Sequence, residues 1–526
     1  MNSLSAVRPA TVRRVARCVA ASAWVFALGP AVLHAQALTN LTSLLVAYNS
    51  RKVVANPTGE LKARLDSLER DLFAFNRAGD TAQVRRLFAK GNALLSNIAW
   101  TDTLDFAASL LIRTDRAIVE SQQPWSVRLQ EMYQPTFVLA HAPTVRVVLR
   151  KRPIGAGANM QLGAVVKDFG ARDVANRDLK AAPFGMQLDL HDVADGNYTL
   201  YTDVLDGATS LARPSLSVTV RKGIDEEVTS LETAAKNAPE AVRAELLFPG
   251  ERMRKVNSSV LTLNTFDAER DFGAAEAVLV AVRAGKDPYA GRTGDIKRHY
   301  LLEAANEIMP YRIYIPTTYV PTKPMPLIIA LHGLGGTEDS FFDQYGRRLP
   351  QLAEAQGYIV AAPLGYRVDG SYGWGVGTPP TDPATRRREE FAEADVMQVL
   401  ALVRKIYSVD ESRIYLMGHS MGAIGTWKIA PKYPGVWAAL AAFSGQGAPA
   451  TMEQMKGIPE FVVHGDNDAT VNVAGSRTMV AAAKALGTDV KYIEVPGGSH
   501  TNVVEPNFEG MFEWFTGHRK AVRVAP

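Results

Sequence analysis

The pentapeptide Gly418-His419-Ser420-Met421-Gly422 constrains this chain more than any other feature. The apolar run Ile414-Tyr415-Leu416-Met417 leads into it, and the helix-forming Ala423-Ile424-Gly425-Thr426-Trp427 leads out. That sequence reads as a strand, a sharp turn and a helix. In a G-x-S-x-G turn the serine takes a strained backbone conformation, and the flanking positions are glycine because any side chain there would strike the neighbouring strand or helix. The serine oxygen is thereby pushed out at the top of a sheet. A serine hydroxyl is a poor nucleophile at neutral pH. The turn therefore predicts an imidazole base, an acid that orients it and N–H donors for an oxyanion.

Each of these parts has a candidate. Phe461-Val462-Val463 reads as a buried strand and delivers His464-Gly465-Asp466-Asn467-Asp468. Val490 to Val495 alternates like a strand and ends in Pro496-Gly497-Gly498-Ser499-His500. Serine, then acid, then histidine is the chain order of α/β-hydrolases. The assignment is Ser420 as nucleophile, Asp468 as orienting acid and His500 as general base, with Asp466 as the competing acid. Upstream, the apolar strand Leu327-Ile328-Ile329-Ala330-Leu331 runs into the glycine-rich His332-Gly333-Leu334-Gly335-Gly336. Backbone N–H groups of Leu334 and Met421 are the expected oxyanion donors. His419 is read as filling the variable position of the turn, and His464 as bracing the acid loop. The Asp466-Asn467-Asp468 run lacks the glycine and distal glutamate of a calcium loop, so no metal is expected.

The segment Ser412 to Trp427, followed by Tyr433-Pro434, resembles the esterases of the phospholipase/carboxylesterase and dienelactone-hydrolase-like type, many of them called prolyl-oligopeptidase-like or polyhydroxybutyrate-depolymerase-like. Met309 to Pro316, the His332-Gly333 loop, the His464-Gly465 loop and Gly498-Ser499-His500 agree with that resemblance, which covers the C-terminal hydrolase part only. It implies an α/β-hydrolase fold and an esterase, before any particular substrate. Dienelactone hydrolase itself carries cysteine at the nucleophile position. This chain has serine there, and its one cysteine is Cys18.

Cys18 falls in a stretch with the pattern of a bacterial secretory signal peptide. Arg8, Arg13, Arg14 and Arg17 precede an apolar run from Val19 to Leu33, and Ala35-Gln36-Ala37 supplies a cleavage site. The mature protein is thus expected to be secreted or periplasmic, to lack disulfides and to have no membrane span. Loss of the leader's four arginines takes the 58 basic residues to 54, equal to the 54 acidic ones. The basic balance of the whole chain therefore gives no reason to expect nucleic acid as a partner, and no basic stripe with interleaved aromatics is present.

At 526 residues the chain is too long for one core. The expected order is a signal peptide over 1–37, a helical segment over 38–130, an immunoglobulin-like β-sandwich over 131–222, a helical linker over 223–290 and the α/β-hydrolase domain over 291–526. In the last, strands alternate with helices, which predicts a mostly parallel sheet covered by helices on both faces. Leu61, Leu65, Leu68 and Leu72 give the helical spacing of the first segment. Val145 to Leu149, Tyr198 to Val204 and Leu216 to Val220 alternate as sandwich strands.

The function so implied is hydrolysis of short-chain, aryl or polymeric carboxylic esters through an acyl-enzyme, with no cofactor. Trp374, in a glycine-rich aromatic loop, is a candidate pocket wall or a packing residue. Gln446, ending a strand beside the turn, is a candidate for the site's lining. An oligopeptidase with the same triad is the rival within hydrolases. A polymer- or surface-binding protein with an inert hydrolase domain is the rival from another class.

Overall fold

The computed structural model describes residues 57–520 apart from 138, 140, 155–160, 177 and 378, with scattered residues between 44 and 55. The leader expected over 1–37 lies outside the described residues. After scattered helical residues between 44 and 55 come two helices, Gly59–Arg77 and Thr81–Leu95. Leucines at three- and four-residue spacing bring Leu65, Leu68 and Leu72 to one face, where they close against Val84 and Phe88 of the second helix. Asp80 starts that second helix by accepting the Gln83 N–H at 3.0 Å. Arg86 then grips the buried Asp105 carboxylate with two nitrogens, at 2.8 and 2.7 Å, and ties down the short helix Asp102–Ser109.

The helical stretch expected to reach residue 130 ends at Ser109. Beyond it lie β1 (Leu110–Thr114), β2 (Ile118–Val119) and β3 (Trp125–Glu131). They join β4 (Thr144–Lys151), β5 (Val165–Asp173), β6 (Phe184–Leu188), β7 (Gly196–Asp206), β8 (Thr209–Ala212) and β9 (Ser215–Val220). One sheet has the order β1-β3-β6 and the other β2-β9-β7-β4-β5, with β8 on β7. Trp125, Leu129 and Leu188 of the first sheet share a core with Val147, Leu200 and Val218 of the second. The boundary moves because β3 pairs with β6, Val127 opposite Met186, a partner far along the chain that no local pattern announces.

Three helices follow, Ile224–Asn237, Glu240–Asn257 and Ala268–Arg283, packed around Leu231, Leu246, Phe272 and Val278. Buried charge fixes them to the C-terminal unit. The Glu245 carboxylate takes Arg298 Nε at 2.7 Å and His299 Nδ1 at 2.6 Å. Breaking such a pair from one side strands a charge in the interior, which typically costs about 3–5 kcal/mol.

The C-terminal unit contains β10 (Gly294–Leu302), β11 (Glu307–Ile315), β12 (Met325–Leu331), β13 (Ile359–Pro363), β14 (Val409–His419), β15 (Ala439–Phe443), β16 (Glu460–Gly465) and β17 (Val490–Val495). They stand in the order β10-β11-β13-β12-β14-β15-β16-β17. β11 runs antiparallel to β10 and to β13, and every pairing from β13 through β12 to β17 is parallel. Successive side chains of β12 enter two different cores. Leu327, Ile329 and Leu331 meet Val396, Leu400 and Trp427 on one face. Ile328 and Ala330 meet Phe342, Phe508 and Phe512 on the other. With helices over both faces the strand has no solvent side, which is why its sequence is apolar throughout.

Candidate active site

β14 ends at the glycine-flanked serine. Ser420 has φ 58° and ψ −117°, and the helix Met421–Ile429 begins at the next residue. The sheet enforces this turn, since the Ser420 N–H donates to the Phe443 carbonyl at the end of β15, 2.9 Å away. Both flanking glycines are sterically required. A Cβ on Gly418 would lie 2.1 Å from the Gly422 carbonyl oxygen, and a Cβ on Gly422 would lie 1.8 Å from the Leu331 carbonyl oxygen. Those obstacles are backbone and cannot swing aside. Gly422→Ala is therefore expected to destabilise the chain by about 3 kcal/mol or more. A urea titration with an unchanged m-value and a lowered midpoint would show it.

The loops after β16 and β17 bring an acid and an imidazole to this serine. His500 Nε2 lies 2.8 Å from Ser420 Oγ, and His500 Nδ1 lies 2.7 Å from Asp468 Oδ2. The other oxygen of Asp468 accepts the N–H groups of Thr470 and Val471 at 2.8 and 2.9 Å. His464 Nε2 is 3.1 Å from Asp468 Oδ2, and its Nδ1 is 2.7 Å from Ser476 Oγ. Burial works to raise the Asp468 pKa, but the hydrogen bonds from the His464 and His500 rings outweigh it and hold the carboxyl well below the usual range. Asp466 is directed elsewhere: it accepts the Gly497 N–H at 2.6 Å and pins the turn before His500.

On the opposite side the loop after β12 comes up against the serine. Gly333 sits so close that a Cβ there would be 3.3 Å from Ser420 Cβ. His332 holds this loop from below, with its ring nitrogens 2.8 Å from the Gly333 carbonyl and 2.7 Å from the Leu364 carbonyl. The N–H groups of Gly335 and Gly336 are committed to Val368 and Gly333 carbonyls at 2.8 and 2.9 Å.

The two candidate lining residues lie in different surroundings. Gln446 is exposed just past the carboxyl end of β15, with its side chain laid over Gly475, where a Cβ would meet Gln446 Cβ at 2.5 Å. Trp374 packs under Lys432, whose Nζ is 4.6 Å from the ring centroid. Lys432 lies beyond the end of the Met421–Ile429 helix that is remote from Ser420. Its neighbour Tyr372 accounts for that path. This buried ring threads between Gly365 and Gly425, and its hydroxyl donates to the His332 carbonyl at 3.2 Å. Sequence reasoning also missed the contacts of His419. Its ring touches the backbone of His500 and the hydroxyl of Tyr345, and the variable position of the turn gave no signal of either.

A largely parallel sheet whose order reverses beside β12, with a strained serine between β14 and its helix, defines the α/β-hydrolase fold. A family model named Esterase matches residues 303–498. The feruloyl esterase B of Neurospora crassa is 39% identical over 135 residues, 24% of this chain and 42% of that protein. The bifunctional acetylxylan esterase/xylanase XynS20E of Neocallimastix patriciarum is 28% identical over 160 residues, 30% of this chain and 21% of that protein. The chain thus spans less than half the length of these two relatives. Among solved structures, an S-formylglutathione hydrolase from Agrobacterium tumefaciens aligns at a TM-score of 0.37 and 17% identity, covering 43% of this chain and 95% of that one.

Proposed function

We propose that this protein is a secreted serine carboxylesterase that hydrolyses short-chain, aryl or polymeric esters through an acyl-enzyme. The observation that carries the proposal is the continuous hydrogen-bonded line from Ser420 Oγ through the His500 ring to Asp468. In this reading His500 Nε2 removes the Ser420 proton as Oγ attacks the ester carbonyl, and Asp468 holds the Nδ1–H and stabilises the imidazolium that forms. The carbonyl oxygen becomes an oxyanion beside the N–H groups of Met421 and Leu334. Leu334 is the proposed loop donor, and the Gly335 and Gly336 N–H groups further along that loop already have acceptors. One such donor is typically worth about 2.7–4 kcal/mol of transition-state stabilisation. His500 then protonates the departing alcohol, and water activated by the same imidazole releases the acid.

Two relatives support a narrower reading of the substrate. By their names, feruloyl and acetylxylan esterases act on feruloyl esters and on acetylated xylan, and esters of an aromatic acid and of a short acyl group on a polysaccharide are the two classes proposed here. The sandwich and the helices before the sheet are proposed as scaffold, and the leader as the export signal. The test is hydrolysis of a p-nitrophenyl series from acetate to palmitate, of methyl ferulate and of alanine p-nitroanilide. Turnover of acetate and ferulate esters with little on palmitate is the expected result. Cleavage of the anilide alone would make the protein a peptidase, and inertness on all of them would make it a binding protein.

A further inference from the structure

The residue that fills the variable position of the serine turn is not idle. His419 is 4% exposed, and its ring lies between three parts of the site. It is joined through the backbone to Ser420. A Cβ on Gly333, in the loop after β12, would lie 3.4 Å from its Nδ1. Its Nε2 lies 2.9 Å from the main-chain carbonyl of His500. A carbonyl oxygen only accepts, so Nε2 carries the proton, and in a neutral ring Nδ1 is then an acceptor. The Tyr345 hydroxyl, 2.9 Å from Nδ1, donates to it. Only one tautomer satisfies both contacts.

We propose that Tyr345 and His419 are positioning residues that set the distance between His500 and Ser420: the His500 carbonyl selects the Nε2–H tautomer of His419, Tyr345 donates to the unprotonated Nδ1 and holds that ring in place, and His419 holds the His500 main chain. The inference rests on the esterase reading of the site. Three further observations support it. Burial pushes the His419 imidazole down to about 3, so the ring stays neutral over the range where an imidazole base works. The Tyr345 ring is stacked on Phe341 at 5.4 Å and edge-on to Phe508 at 5.9 Å, which aims its hydroxyl. Its backbone has φ 52°, a conformation that only surrounding structure maintains in a tyrosine.

The test uses the full-length protein and two readouts: steady-state hydrolysis of p-nitrophenyl acetate, and the rate at which a fluorophosphonate labels Ser420. The second needs an activated serine but no particular ester. Tyr345→Phe, which keeps the ring and removes the donor, is expected to lower kcat and the labelling rate together by about 10-fold with KM unchanged. His419→Leu should lower both by about 100-fold, the scale of a misplaced reacting group. His419→Gln offers an amide N–H to the His500 carbonyl and should recover most of the rate, and adding Tyr345→Phe to it should cost nothing further. If Tyr345→Phe and His419→Leu lower only the melting temperature, or if their effects add with His419→Gln, the positioning role is overturned. Labelling without ester turnover in the wild type would sink the esterase reading alone. Ester turnover that resists both substitutions would sink the positioning role alone. A wild type that neither labels nor turns over overturns both.

Discussion

Ser420→Ala is expected to lose about five to six orders of magnitude in kcat on p-nitrophenyl acetate, the scale seen when the nucleophile of a triad is removed. Its melting temperature should stay near that of the wild type. The two effects separate because of what Oγ does in the fold. Its described side-chain hydrogen bond is the one to His500, and the turn is held by the Ser420 N–H on Phe443 and by glycine packing against Leu331. Alanine has the same Cβ at the same positive φ, so no backbone strain is added or relieved. Losing the hydroxyl leaves the His500 ring without one partner, worth about 1 kcal/mol. Kinetics and calorimetry on one preparation would check both halves. Hydrolysis retained at one per cent of the wild-type rate or more would remove Ser420 from the nucleophile's role.

What the sequence disclosed follows from how local each constraint is. Gly418 and Gly422 are dictated by atoms a few residues away and by the next strand, so the turn shows in the residue pattern itself. The two cores over β12 are legible for the same reason, since a strand covered on both faces must be apolar at every position. The choice between Asp466 and Asp468 is less local. Both follow a buried strand, and only the folded loops show one pinning Gly497 and the other meeting His500. β1 and β3 were hidden because their partners are non-local and an amphipathic helical pattern runs up to Ser109. For Trp374 the residue pattern leaves pocket wall and packing equally open, because its loop follows the threading of Tyr372 between two glycines far apart in sequence. The Tyr345 contact to His419 joins residues 74 positions apart in sequence and leaves no trace in spacing.

Asp468→Asn should lower kcat by about 10⁴-fold while KM changes little, and the cause is the tautomer of His500. In the wild type Asp468 presents acceptors only. Oδ1 takes the Thr470 and Val471 N–H groups, and Oδ2 faces both His500 Nδ1 and His464 Nε2. An asparagine must keep its oxygen toward the two backbone donors, which turns its amide nitrogen toward the rings. His500 Nδ1 can then pair only as an acceptor, so the proton moves to Nε2, and an Nε2–H cannot remove the proton from Ser420. The same substitution carries a pH signature. The Asp468 carboxyl is held below its ordinary range in the folded chain, so its contribution to stability is present above the unfolded value, about pH 4, and is lost as the pH falls through the folded value. The wild type should therefore exceed Asp468→Asn in stability at pH 7, with the difference shrinking below about pH 4. Urea midpoints for both proteins across that range would read it. A gap that persists unchanged into acid would mean that the carboxylate's charge is not what the two histidines and two backbone amides are holding in place.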